Sequence, residues 1–358
     1  ESAPSRTPSP SSSVSPLLHN PSPSVSVPSL AGSYEPLAQS SQPSPSVSEH
    51  TLVLLSSESL ASRAPSLSSS GSPESHNPSP SKSVPSLLGV LSAKAQDFIG
   101  EIEQLDSDMA LLVSKESKIE VLANGFSWAE GPVWVPKLNG LLFTDVPKNK
   151  AYLWTERQGI SVFLNPSGMT NHAPHSSIQG ANGLVLDSNG VLVLCQHGDR
   201  RVARLKYDWQ LEPASYETLV DHVEGKWLNS PNDLVFSKNG DLFFTDPPYG
   251  LAQQDNDSLK ELDFNGIFKW SKNEGIVLLN KTLSRPNGIA FSIDEKTVYI
   301  GNSDRKNLII AAFDHIDGVL KNMRVFFDSK NISRKGPGSF DGLKVHSSGA
   351  VFATGPGG

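Results

Sequence analysis

The sequence predicts an all-β repeat domain of the propeller type, entered through a long Ser/Pro-rich tail. Three observations carry that expectation. A strand–turn–strand motif recurs five times, starting at Glu130, Asn182, Asn232, Asn287 and Asp341, with spacings of 52, 50, 55 and 54 residues. Four of the five turns end on glycine, at Asn139-Gly140, Asn189-Gly190, Asn239-Gly240 and Ser348-Gly349. Two further apolar stretches follow each of the first four hairpins, so each repeat holds four strands. A period near 50 residues with four strands per period belongs to propeller blades; a barrel or sandwich of eight strands would not repeat in this way.

The elements follow in chain order. Residues 1–90 contain 31 Ser and 15 Pro, only eight charged residues, and Tyr34 as their one aromatic. Such a segment cannot bury enough apolar surface to offset its ordering entropy, so it reads as a disordered low-complexity tail. It carries an internal duplication, His19–Leu30 (HNPSPSVSVPSL) against His76–Leu87 (HNPSPSKSVPSL), which differ only at Val25 and Lys82. That suits a linker, a modified stalk or a Pro-rich docking segment for other partners. Residues 91–117 read as a linker in which Phe98, Ile99, Ile102 and Leu105 stand at helical spacing and predict a short amphipathic helix. The repeat domain then occupies 118–358.

Within that domain, Asn-Gly between alternating apolar runs signals a hairpin, because a type I′ turn needs positive φ at both central residues. The remaining strands are expected at 151–154 and 161–164, 202–206 and 216–219, 266–270 and 276–279, and 307–313 and 324–327. Cys195 lies in an apolar strand and reads as a small buried hydrophobe. Trp128 and Trp134, which flank Glu130, read as core. Asp145 and Asp246 each close a Thr-Asp pair at the end of a second strand, a recurrence that favours structural hydrogen bonding.

Composition excludes several classes. The net charge is −7 and the basic residues are not clustered, which argues against nucleic acid as a partner. No apolar run approaches the roughly 20 residues needed to span a bilayer, the best being Thr51–Leu55. A single cysteine excludes an internal disulfide and a Cys-based zinc site and is compatible with a cytoplasmic protein. The sequons at Asn256, Asn280 and Asn331 leave export open.

The first strand of a blade lies beside the central channel, so residues at equivalent strand ends converge on the axis. Glu130, Asn182, Asn232, Asn287 and Asp341 should therefore ring one mouth. A single Asn-Gly is ordinarily a turn former, but five polar residues in register form a donor set of carboxylate and amide oxygens. That set suits a hard divalent cation, Ca²⁺ above all, with Glu130 and Asp341 neutralising its charge. His197, after the second hairpin, and Tyr249, in Asp-Pro-Pro-Tyr-Gly, are candidate substrate contacts near the mouth. Arg200 and Arg201 read as inter-blade salt-bridge formers.

Several stretches in order, Ala129–Trp134 (AEGPVW), Gln196–Val202 (QHGDRRV), Glu224–Asp233 (EGKWLNSPND), Phe244–Leu251 (FTDPPYGL), Arg285–Ala290 (RPNGIA) and Gly355–Gly358 (GPGG), resemble the SMP-30/gluconolactonase/LRE-like family, nearest to its bacterial-type gluconolactonases. The resemblance spans about Ile119 to Gly358. It implies a six-bladed propeller with one divalent metal, and hydrolysis of a sugar lactone by Lewis-acid polarisation of its carbonyl and attack by water. It assigns Glu130, Asn232, Asn287 and Asp341 to the metal, Asp341 to the general base, and Asn232 also to the substrate; Asn182, His197 and Tyr249 complete the expected substrate set. Regucalcin-type relatives carry an Arg two residues before the third motif's Asn, where this chain has Ser230, so the substrate is open. Two alternatives stand beside this reading: the same metal site acting on another lactone or ester, and a non-catalytic propeller that serves as a binding module. A sixth motif would be expected near 390–395, and the chain starts at Glu1 rather than Met. The sequence therefore reads as a fragment interrupted in its fifth blade.

Overall fold

A computed structural model describes residues 50–56 and 98–356, apart from 176, 178, 207–213 and 333–335. The expected disorder of the tail and its duplication fall outside these residues, except for one short strand, β1 (His50–Ser56). β1 pairs antiparallel with β2 (Lys118–Phe126). The amphipathic helix expected from Phe98 to Leu105 does not form. Phe98 instead bridges to Glu120, and the Ile99 N–H donates to the Ile119 carbonyl at 3.0 Å. Among the described residues nearby, the one helical turn is a 3₁₀ turn over Ser107–Leu111, capped by the Asp106 carboxylate. So short a helix is marginal without a packed face, and Leu105 stays 73% exposed.

Four four-stranded antiparallel sheets follow in sequence order. The first holds β3 (Ala129–Val135), β4 (Gly140–Asp145), β5 (Lys150–Thr155) and β6 (Gly159–Leu164). The second holds β7 (Ala181–Leu186), β8 (Leu192–Gln196), β9 (Arg201–Leu205) and β10 (Tyr216–Val220), and a small hairpin follows it, β11 (His222–Val223) and β12 (Lys226–Trp227). The third holds β13 (Leu234–Phe236), β14 (Leu242–Asp246), β15 (Gly266–Ser271) and β16 (Gly275–Asn280). The fourth holds β17 (Pro286–Phe291), β18 (Thr297–Asn302), β19 (Ile309–Ile316) and β20 (Val319–Asp328). A fifth pair, β21 (Leu343–Val345) and β22 (Val351–Ala353), comes last. All strands expected from the sequence are present to within a few residues. The first strands touch in succession, β3 on β7, β7 on β13, β13 on β17 and β17 on β21. This is the arrangement of propeller blades around a channel.

The cores lie between the sheets, and strand alternation explains them. Along β14, Leu242 and Phe244 pack with Val193, Cys195 and Val202 of the second sheet, whereas Phe243 packs with Ile289, Val298 and Phe313 of the fourth. A central strand is thus buried on both faces and reads as a continuous apolar run. Each of these phenylalanines carries about 3–5 kcal/mol against truncation to Ala. Cys195 is fully buried, as expected. Trp128 is also buried, but Trp134 points outward and is 46% exposed, against expectation.

The hairpins are where the glycines place them, but the turn is not type I′. In the second motif the Gly190 N–H donates to the Asp187 carbonyl at 2.8 Å, and the Asp187 N–H donates to Val191 at 2.9 Å. Gly190 alone has positive φ, at 73°; Asn189 does not. Ser237–Gly240 and His346–Gly349 repeat this pattern. Each turn is four residues long with a left-handed last position, which glycine fills without strain.

Candidate functional site

Glu130, Asn182 and Asn287 lie near the starts of β3, β7 and β17. Asn232 and Asp341 lie two residues before β13 and β21. Glu130 and the three asparagines are buried, and Asp341 is partly exposed. Backbone hydrogen bonds lock their register from one sheet to the next. The Gly183 N–H donates to the Asn232 carbonyl at 2.8 Å, and the Gly288 N–H donates to the Asp341 carbonyl at 3.0 Å. Thr144 Oγ1 donates to the carbonyls of Glu130 and Asn182, at 3.2 and 3.1 Å, and Thr245 Oγ1 donates to Asn287 at 2.8 Å.

This contact explains the glycine that follows most ring residues. A Cβ on Gly183 would lie 2.5 Å from the Asn232 carbonyl oxygen, and one on Gly288 would lie 2.1 Å from that of Asp341. The glycine allows the neighbouring strand to approach; it does not make a turn. The third motif has Asp233 in this position, a residue the sequence reading passed over. Its carboxylate accepts from the Leu234 N–H at 2.9 Å and from the Ile289 N–H at 3.2 Å, tying the third sheet to the fourth.

The ring is electrostatically unbalanced. Burial, then the Asp341 and Asp233 charges, push the Glu130 carboxyl well above the usual range, against hydrogen bonds from Trp128 Nε1, at 2.6 Å, and from the Gly131 backbone. Burial and Asp233 push Asp341 up to about 7, with a hydrogen bond from Asn287 opposing them. Among the described residues no Lys or Arg pairs with Glu130, Asp233 or Asp341. Uncompensated buried carboxylates are costly unless a cation joins them. The donors are all hard oxygens, which fits a divalent ion such as Ca²⁺. No three His, Cys, Asp or Glu side chains among the described residues form a ligand cluster, so the amides of Asn232 and Asn287 would have to complete the set.

The flanking residues divide by what they touch. His197 is fully buried and neither ring nitrogen has a partner; burial lowers it to about 3, so it is neutral at physiological pH. Tyr249 places its hydroxyl 2.5 Å from Ser303 Oγ, which lies 3.5 Å from Asn287 Nδ2. Ser303 was not singled out because a lone serine after a strand carries no sequence signal. Ser230 Oγ donates to the Pro247 carbonyl at 2.6 Å and accepts from the Gly250 N–H at 2.8 Å. A Cβ on Gly250 would lie 2.7 Å from Ser230 and 2.8 Å from His197, so the Asp-Pro-Pro-Tyr-Gly loop closes directly on both and leaves no room for an arginine at 230.

Asp145 and Asp246 take the structural role expected of them. Asp145 accepts from the N–H groups of Ser127 and Trp128, and Asp246 from those of Asn229 and Ser230, at 2.8–3.2 Å. The arginines differ from expectation. Arg201 pairs with Asp199, two residues away, and Arg200 donates to the Leu228 and Asn229 carbonyls instead of to a carboxylate. Arg200 therefore does link two sheets, through backbone oxygens.

Known proteins resemble this chain in sequence and fold. Residues 128–358 match the family described as the SMP-30/Gluconolactonase/LRE-like region. A gluconolactonase of Zymomonas mobilis is 36% identical over 272 residues, which cover 73% of this chain and 73% of that protein. A lactonohydrolase of Aspergillus oryzae is 25% identical over 187 residues, 51% of this chain and 42% of that protein. Among solved structures, a gluconolactonase of Xanthomonas campestris matches with a TM-score of 0.55 at 28% identity, over 66% of this chain and 73% of its own. The repeat, the register-locked ring and these matches agree: the chain belongs to the SMP-30/gluconolactonase/LRE-like family.

Proposed function

We propose that this protein is a calcium-dependent lactonase that hydrolyses a sugar lactone at the ring mouth of a six-bladed propeller. The observation that carries the reading is the pair of carboxylates, buried Glu130 and half-buried Asp341, held in register without a cationic side chain beside them among the described residues. Glu130, Asn232, Asn287 and Asp341 would hold the ion. When bound, a divalent cation supplies charge neutralisation and Lewis-acid polarisation of a carbonyl.

The chain's own residues do the rest. Trp128 fixes the Glu130 carboxylate through its indole N–H. Asn182, Asn232, His197 and Tyr249 surround the lactone and orient it. Asp341 takes the proton that water loses as its oxygen bonds to the carbonyl carbon. The bond from that carbon to the ring oxygen then breaks, and the proton passes to the departing alkoxide.

The test is hydrolysis of D-glucono-1,5-lactone by the full chain with Ca²⁺, with a chelator, and with Ca²⁺ restored. The rate should exceed the spontaneous one, fall to it on chelation, and return. No rate above spontaneous with Ca²⁺ present would overturn the reading and favour a non-catalytic binding module.

A further inference from the structure

Three Asn-x-Ser/Thr signatures stand in the sequence, at Asn256, Asn280 and Asn331, and the lactonase reading uses none of them. The signature marks a modification site where the folded chain presents the asparagine at the surface with the hydroxyl two residues on beside its amide. The structure separates the three.

Asn280 is the last residue of β16, the outermost strand of the third sheet. It heads an Asx turn: its Oδ1 accepts from the Thr282 N–H and from Thr282 Oγ1, both at 2.8 Å. The side chain is thus fixed through its oxygen, and Nδ2 has no hydrogen-bond partner among the described residues. Lys281 and Thr282 are exposed. Asn256 is built differently. It closes the 3₁₀ turn Gln254–Asn256, and its N–H donates to the Gln253 carbonyl at 3.0 Å. Between it and Ser258 stands buried Asp257, whose carboxylate accepts from the N–H groups of Gln253 and Leu259, at 3.0 Å each. Among the described residues no hydrogen bond joins Ser258 to Asn256. Asn331 ends the 3₁₀ turn Ser329–Asn331, and its Ser333 lies outside the described residues.

The neighbourhood of Asn280 gives a modification there a use. β16 touches β20, the outermost strand of the fourth sheet. Thr282 Oγ1 lies 3.5 Å from Met323 Sδ. Met323 is 42% exposed, and Val325, two residues on, is 55% exposed. Apolar side chains on an outer strand with a free edge favour association between chains. A bulky hydrophilic group on Asn280 would stand beside them. The single cysteine, Cys195, is buried, so the fold presents no thiol to an oxidising compartment.

We propose that Asn280 is an N-glycosylation site of an exported form of this chain, and that its glycan covers Met323 and Val325 on β20. The donor is an oligosaccharide carried on a lipid pyrophosphate. Asn280 Nδ2 bonds to the anomeric carbon of the first sugar. The bond from that carbon to the pyrophosphate oxygen breaks, its electron pair leaves on the lipid pyrophosphate, and the amide gives up one proton.

The experiment secretes the full chain from a eukaryotic cell behind a signal peptide. Peptide mass mapping after enzymatic glycan release in heavy-oxygen water marks each asparagine that carried a glycan. Asn280 should be occupied in most molecules and Asn256 in few. Thr282→Ala should abolish occupancy with Asn280 itself in place, and Thr282→Ser should retain it. An unmodified Asn280, or an Asn256 occupied as fully, would overturn the inference. Brief peroxide treatment of the folded protein reads the glycan's position, with buried Met109 as the internal reference. Met323 should oxidise about threefold faster in Asn280→Gln than in the glycosylated wild type. Equal rates would overturn the covering of β20.

Discussion

Two pairs of carboxylates at strand ends are treated in opposite ways. Asp145 and Asp246, at the ends of the second strands, each accept two backbone N–H groups from the segment that leads into their own sheet. Glu130 and Asp341, near the starts of the first strands, have one side-chain donor apiece and repel each other and Asp233. Burial outweighs two N–H donors, Arg200 and Lys260 at Asp246 and leaves it at about 7, whereas at Glu130 the Asp341 and Asp233 charges add to burial and no cationic side chain opposes them. The first pair closes a backbone requirement from within the chain. The second leaves a charge for something outside the chain to close. Recurrence in the sequence marks both, and only the partners distinguish structure from function.

The sharpest break of this comparison exchanges the effects of the two pairs. Asp341→Asn should reduce lactone hydrolysis by at least about 10³-fold, because it removes the base and one cation ligand. Its melting temperature without calcium should stay level or rise, since the substitution relieves like-charge repulsion. Asp246→Ala should act the other way. It strands the Asn229 and Ser230 N–H groups in the interior and should cost about 3 kcal/mol in denaturant unfolding. A low-melting Asp341→Asn together with an Asp246→Ala as stable as wild type would dissolve the distinction.

The smallest effect concerns His197, the uncompensated group of the second sheet. Its folded value is depressed to about 3, so the folded protein leaves it neutral while the unfolded chain takes up a proton below about 6.5. Stability attributable to His197 is therefore full above that value and is lost as pH falls. Between pH 7 and pH 5 the loss should be about 2 kcal/mol. Asp341 has the opposite sign: its folded value is raised, so its contribution is present below about 4 and is lost as pH rises through 7. Denaturant unfolding of wild type and His197→Phe at both pH values isolates the imidazole. A His197→Phe variant with an unchanged acid limb would show that the ring finds partners in solution.

Much of the site was legible because the repeat made it so. One polar residue in register could be a turn former; five of them predict a convergence, and the Gly183–Asn232 and Gly288–Asp341 contacts join neighbouring first strands at those positions. The hairpin glycines were found but misread as the second half of a type I′ turn, and the glycines at the strand entrance were seen without their role in strand approach. Helical spacing from Phe98 to Leu105 misled because periodicity says nothing about whether a face exists to receive the helix. Ser303 stands one place after β18, as His197 does after β8, but a serine there gives no residue-type signal. Asp233 had one, a carboxylate where the other motifs carry glycine.

The sequence alone determined the sheets, their order and the register positions of the repeated polar residues. Strand alternation, turn glycines and a near-constant period are local properties, and a strand's neighbours follow from them. Which polar groups would be satisfied was decided only by the tertiary structure. Ser230 is spent on a loop, Tyr249 on Ser303 and Asp246 on two backbone donors, while His197 and Asn182 keep unspent atoms. Hydrogen-bond satisfaction depends on partners brought from distant parts of the chain, and no spacing along one strand encodes it.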